Sequence, residues 1–202
     1  PLIMIVMVGV GAFYPAIDLT AGEKERGTFE TLLSTPTQSL EILAGKFLTV
    51  FSIAVITGIT NLGSMVTTLA FQFAQLEGTD TPLAISVPIG SVVLIFVSMI
   101  PLAFLISAVM MSVAVLARSF REGQSLLTPV RILIVFPAAI ATVPGTRLTT
   151  ATQLMPIANF SLLFKELMVS QASVQAVIVV LVSTTVYAAI ALIIAARMFQ
   201  RE

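Results

Sequence analysis

The chain has no histidine, no cysteine and no tryptophan, and its acidic and basic residues number ten each, for a net charge of zero. Each absence removes a class of chemistry. Without cysteine there are no disulfides, iron–sulfur ligands or thiol nucleophiles. Without histidine the commonest transition-metal ligand and general base is missing, so no metal site and no imidazole-assisted serine are expected. The only aspartates, Asp18 and Asp80, fall at opposite membrane faces in the topology below and cannot form a catalytic dyad. No GxxxxGK[ST] stretch occurs, so the chain has no recognisable phosphate cradle. A balanced net charge gives no ground for a nucleic-acid partner. Charge of either sign is scarce, at 10% of residues against 57% hydrophobic ones, and mean hydropathy is +1.07. That composition excludes a single water-soluble domain and predicts an integral membrane protein.

What is present is a series of long apolar runs. Measured against the ~20 residues that cross ~30 Å of hydrocarbon, they give five spans near residues 1–18, 47–73, 86–117, 125–144 and 174–196. The expected fold is therefore all-α. Pro1 lies inside the first run, with no initiator Met and no charged leader, which predicts a piece of a longer protein rather than a signal peptide. Lys24, Arg26 and Lys46 follow the first span, Arg118 and Arg121 the third, and Arg197 and Arg201 the fifth. Only Arg147 and Lys165 fall on the other side, so odd-numbered spans end in the cytoplasm. Arg131 lies within the fourth span and either snorkels to the inner interface or faces a polar interior.

Residues 19–46 form a charged elbow between the first two spans. Residues 22–34 read as a helix on the inner surface, with Phe29, Leu32 and Leu33 apolar and with Arg26 and Glu30 at i, i+4 spacing. Thr35, Pro36 and Gln38 then supply an N-cap, a proline at N1 and a Gln at N3, opening a second helix towards Gly45 and Lys46. Such a helix pair is either a docking device or a solvated cluster that only sets topology. Its candidate contact residues are Glu23, Lys24, Glu25, Arg26, Gly27, Thr28 and Glu30. Gly27 either permits a bend or a close approach, or is a tolerated helix glycine costing about 1 kcal/mol. Arg118, Arg121 and Glu122, on the short second inner loop, either touch the same partner or serve topology alone.

In the second span Thr49, Thr57, Thr60, Asn61, Ser64, Thr67, Thr68 and Gln72 fall within an arc of roughly 140° at ~100° per residue. This polar face either lines a path, with Thr57, Thr60, Asn61, Ser64 and Thr68 as its candidate residues, or lets helices pack closely. Residues 145–172, with Arg147, Asn159, Lys165 and Glu166, are too polar for a span and too apolar for a free loop. Outer re-entrant or interfacial helices fit, as a gate or as a structural plug. Prolines at 88, 101, 129, 137 and 144 are expected to kink helices.

The run AlaGlyGluLysGluArgGlyThrPheGluThrLeuLeuSerThrPro at 21–36, continuing to GluIleLeuAlaGlyLys at 41–46, resembles the cytoplasmic signature of ABC-2 type transporter permeases, in particular the NatB-like, sodium-exporter branch. AlaArgSerPheArgGluGlyGln at 117–124 and MetProIleAlaAsnPhe at 155–160 resemble later parts of the same branch. The resemblance implies a six-helix half-transporter from which the first helix and its extracytoplasmic insert are missing here. It implies a permease that is not itself an enzyme, pairs with a second permease copy in the cell membrane, and relies on a separate cytoplasmic ATPase that holds ATP and Mg. Sodium or another small cation is the cargo the branch suggests, moved outward, while the same architecture also carries drugs, lipids and polysaccharides. A secondary transporter would carry an ionisable residue near the midplane, where only Arg131 qualifies. A passive channel or a membrane scaffold remains the alternative, and neither requires the elbow.

Overall fold

A computed structural model describes residues 1–28, 39–76, 89–169 and 172–199. Helix α1, Leu2–Ile17, runs on through a π-helical segment, Asp18–Gly22, and one α-turn, Glu23–Glu25. Helices α2 (Ser39–Leu76), α3 (Ile89–Ala114) and α4 (Phe120–Ala138) follow, α4 ending in a 3-10 turn at Ala139–Thr142. Two short helices, α5 (Thr150–Gln153) and α6 (Ala158–Met168), precede the last, α7 (Val174–Phe199). α1 to α4 and α7 are long and apolar enough to cross a membrane, as the five expected spans require.

Three boundaries differ from expectation, each for a local reason. The surface helix expected over 22–34 is not one helix. Its first residues prolong α1, and the chain breaks at Gly27, whose φ of +70° is free of strain only without a Cβ. The Arg26 N–H bonds to Gly22 O and the Gly27 N–H to Lys24 O, both at 3.1 Å, closing the helix end. Gly27 is thus a helix stop rather than a tolerated interior glycine. The elbow from residue 29, with Glu30 and the cap at 35–38, lies outside the described residues. Second, the helix expected to end near Lys46 and the second span are one 38-residue helix, about 57 Å long. Third, α4 begins five residues before the expected 125. Ser119 is extended and its Oγ accepts from the Glu122 N–H at 3.3 Å, an N-cap that places Arg121 and Glu122 on the first turn of the fourth span rather than in a loop.

α1 and α3 form the centre, with α2 and α4 against α1 and with α7 packed along α3. Burial is continuous down α1 at Met4, Ile5, Val8, Ala12, Phe13, Ala16 and Ile17, the two-in-four spacing of one helix face. Because lipid is as apolar as these side chains, close packing rather than water exclusion holds the helices together. Small residues make that packing close: a Cβ on Gly11 would lie 2.6 Å from Thr57 Oγ1 and 3.1 Å from the Ala54 Cα, so α1 and α2 meet nearly backbone to backbone. On the far side of α2, Phe47 meets Phe104 edge to face at 4.7 Å. Arg131 is exposed on α4. Its guanidinium lies 5.2 Å from the ring centre of Phe13, a cation–π contact between α4 and α1.

Beyond α4 the chain turns at Gly145 (φ +83°), enters the helical bundle and leaves it again through α6. Leu154 O accepts from the Tyr187 hydroxyl at 2.7 Å, and Tyr187 lies 13 residues, roughly 20 Å, along α7 from its start. The hairpin over 150–168 therefore lies against α7 as far as about its midpoint. At its tip Ile157 has φ +70° and the Ala158 N–H bonds to Pro156 O at 2.8 Å, a γ-turn. A β-branched residue there is strained. Ile157 is held by packing against both apolar clusters of the core, which over-determines the conformation.

Candidate functional site

Glu23, Lys24, Glu25 and Lys46 of the described elbow tie together the ends of four helices. The π-segment departs from the α-helical hydrogen-bond ladder, and within it Leu19 O accepts from the Lys46 ammonium at 2.7 Å. Lys46 is only 7% exposed, and it also pairs with the Glu23 carboxylate, joining α1 to α2. A buried ammonium is tolerable because it has both a carbonyl and a carboxylate partner. Lys24 donates to Val115 O at 2.7 Å, just past α3, where helix carbonyls lack partners and cations are favoured. Glu25 accepts from the Phe120 N–H at 2.6 Å, placing a carboxylate on the positive N-terminus of α4. Arg26 pairs with Asp18 at 2.7 Å within its own helix; the side chains are 63% and 49% exposed, so solvent screens the pair. Thr28 donates to Glu23 O at 3.2 Å.

In the second inner segment the Glu122 carboxylate turns back to accept from the Arg118 N–H at 2.8 Å, so its first duty is to cap α4. Arg118 and Arg121 are exposed beside the elbow. The expected contact residues are thus brought together at one inner corner, with Glu30 outside the described residues. Sequence reasoning overlooked Lys46 as the pivot and Ser119 as the cap. Only the second had a visible signal, the Ser-x-x-Glu spacing at 119–122.

The polar stripe of α2 lies largely on the outside of this single chain. Thr60, Ser64 and Thr68 are exposed, while Thr57 and Asn61 are half-buried. The hydroxyls of Thr57, Thr60 and Thr68 donate to the carbonyls of Ile53, Ile56 and Ser64 at 2.8, 2.9 and 2.8 Å. Their protons are satisfied by their own helix, and their oxygen lone pairs point away from it. Thr57 doubles as the packing partner of Gly11.

A second polar cluster, not picked out as a site from sequence, fixes the hairpin. Asn159 is fully buried and donates to Ser183 Oγ at 3.1 Å and Thr184 Oγ1 at 2.9 Å on α7, while its Oδ1 accepts from the Phe160 N–H. Ser161 donates to Ala138 O at 2.6 Å, fastening the hairpin to α4 as well. In hydrocarbon such groups must find partners within the protein.

Five apolar spans, with a charged corner at one end of the bundle and a helical hairpin at the other, define a multi-pass membrane protein of the transport-permease class. The chain belongs to the ABC-2 family of transporter proteins, whose sequence profile matches residues 1–197. It is 31% identical over 171 residues to the ABC transporter permease protein NatB of Bacillus subtilis (strain 168), an alignment covering 83% of this chain. The chain spans 43% of that relative's length. No solved structure matches it.

Proposed function

We propose that the chain is the membrane part of an ABC exporter permease, in which a separate cytoplasmic ATPase drives outward movement of a substrate through the helices described here. The inner corner carries this reading. A short helical end whose side chains hold Lys46 on α2, Val115 O after α3 and the N-terminus of α4 converts a push on one element into movement of all its neighbours. A channel or scaffold has no need of such a linkage. The chain has no phosphate loop of its own, so in this reading the partner binds ATP and Mg. The outward-facing stripe of α2 needs a second permease copy to close a path around it, and its hydroxyl oxygens then offer hard ligands to sodium or another small cation, the cargo the resemblance implies.

Since Glu23, Lys24 and Glu25 are engaged within the fold, the exposed cations of this corner that can meet an acidic groove on the ATPase are Arg118 and Arg121, together with Arg26, which is held only by a screened pair with Asp18. Purifying the full-length parent protein in mild detergent with its host's cytoplasmic ATPases tests this. We expect a P-loop ATPase to co-elute with the wild type and to be lost from Arg118→Glu/Arg121→Glu, with the melting temperature unchanged. No associated ATPase with the wild type would return the protein to the channel or scaffold class.

A further inference from the structure

Along the outer half of α4 lies an apolar cavity of about 590 Å³, walled by Phe136, Ile140 and Val143 on one side and by Met155, Pro156 and Ala158 of the hairpin on the other. It is within the size range of ligand sites. The cavity opens sideways towards hydrocarbon, since Phe136 is 82% exposed and Val143 and Met155 about half so. It reaches from the outer end of α4 down to the hairpin tip, whose neighbour Leu154 bonds to Tyr187 roughly 20 Å along α7. Its lining has no charged residue, so a hydrated ion gains nothing by entering.

Beyond the end of α4 lies a smaller cavity of about 210 Å³, lined by Gly145, Thr146, Arg147, Lys165, Glu166 and Val169. The two are joined by Thr146, whose hydroxyl bonds to Ile140 O at 3.1 Å and Val143 O at 2.8 Å in the wall of the first. Glu166 is already committed, accepting from the Leu148 N–H at 2.7 Å, and two cations stand against this one carboxylate. Lys165 reaches Thr146 O at 3.4 Å, and Arg147 is exposed at the rim. A net positive surface cavity above a side-opening, tail-deep apolar one matches one ligand chemistry.

We propose that this composite site binds an anionic lipid of the outer leaflet, its phosphate held by Arg147 and Lys165 and one acyl chain lying between α4 and the hairpin tip. A neutral apolar ligand leaves the cations unused; a second copy of the chain needs an acidic patch to meet them. The site is remote from the inner corner and its occupancy is read without an ATPase, so its failure leaves the permease reading untouched.

The test uses the full-length protein in zwitterionic nanodiscs carrying a trace of phosphatidylglycerol or phosphatidylcholine with a photoactivatable diazirine on the acyl chain. Cross-links are mapped by peptide mass spectrometry. The anionic probe is expected to label residues 136–143 and 155–158 in preference to the exposed face of α2. Arg147→Gln and Lys165→Gln should each lower that labelling about fivefold. Ala139→Phe, which narrows the cavity and keeps both charges, should lower it too. Equal labelling by the zwitterionic probe overturns the proposal, as does labelling unchanged by the three substitutions. Cross-linking of 136–143 to a second copy of the chain in place of lipid overturns it in favour of a subunit interface.

Discussion

Glu25 and Arg26 are adjacent, oppositely charged and exposed, yet they do different work. Glu25 supplies a carboxylate to the orphan N–H groups at the start of α4, whereas Arg26 pairs with a half-exposed Asp18 one helical end away. Loss of a helix-capping side chain costs about 1 kcal/mol, and a cation at a helix N-terminus adds a dipole penalty of several tenths more. An exposed ion pair is worth under about 1 kcal/mol and often nothing measurable. Glu25→Lys is therefore expected to lower the melting temperature of the detergent-solubilised protein clearly, and Arg26→Ala to leave it nearly unchanged. Equal effects would mean that Glu25 does not cap α4. The sequence presents both residues as members of one charge cluster. Which carboxylate meets which helix end depends on where α3 and α4 terminate, and that is fixed by packing across about 95 positions of chain.

Among the elements, α1 and α2 are the pair most dependent on a single residue. Gly11 sits where a Cβ would stand 2.6 Å from Thr57 Oγ1 and 3.1 Å from a backbone carbon, which a side-chain rotation cannot relieve. Gly11→Ala should force the helices apart and cost about 1–3 kcal/mol, checked by thermal unfolding in detergent. Gly9 has nothing near its missing Cβ, so Gly9→Ala is the control expected to be neutral or slightly stabilising. The spans themselves were legible because hydrophobic length is a direct requirement of the bilayer. Helix ends inside the elbow were not, since Lys46 looks like a boundary charge in one dimension and is a buried, doubly partnered pivot in three. The mixed polarity of 145–172 marked the segment as neither a span nor a free loop, and it forms two short helices packed on the bundle. The knot that holds it, Asn159 with Ser183 and Thr184, joins residues too far apart in sequence to suggest one another.

At the scale of the whole molecule, Arg118 and Arg147 lie at opposite ends of α4, and the cationic bias of the loops assigns the Arg118 end to the cytoplasm. The chain has no cysteine of its own, so single substitutions report cleanly on sidedness. In a full-length version without other cysteines, Arg147→Cys is expected to react with an impermeant maleimide on intact cells. Arg118→Cys should react only after the membrane is opened. The reverse pattern would invert the topology and move the charged corner away from any cytoplasmic ATPase. The cationic bias that predicts this orientation rests on a handful of residues, and several of them are also structural ligands: Lys24 and Lys46 set sidedness and close the inner corner at once.

The amide of Asn159 lies 24 and 25 positions before the two hydroxyls that satisfy it. During vectorial synthesis the hairpin therefore emerges before its partners exist, and sinking it into the bilayer at that moment would strand a buried polar group at a cost of several kcal/mol. The last span is thus expected to seat the hairpin: a chain cut short of residue 183 should leave the Asn159 amide without its two hydroxyl partners, and protease cutting within 150–168 should rise in it.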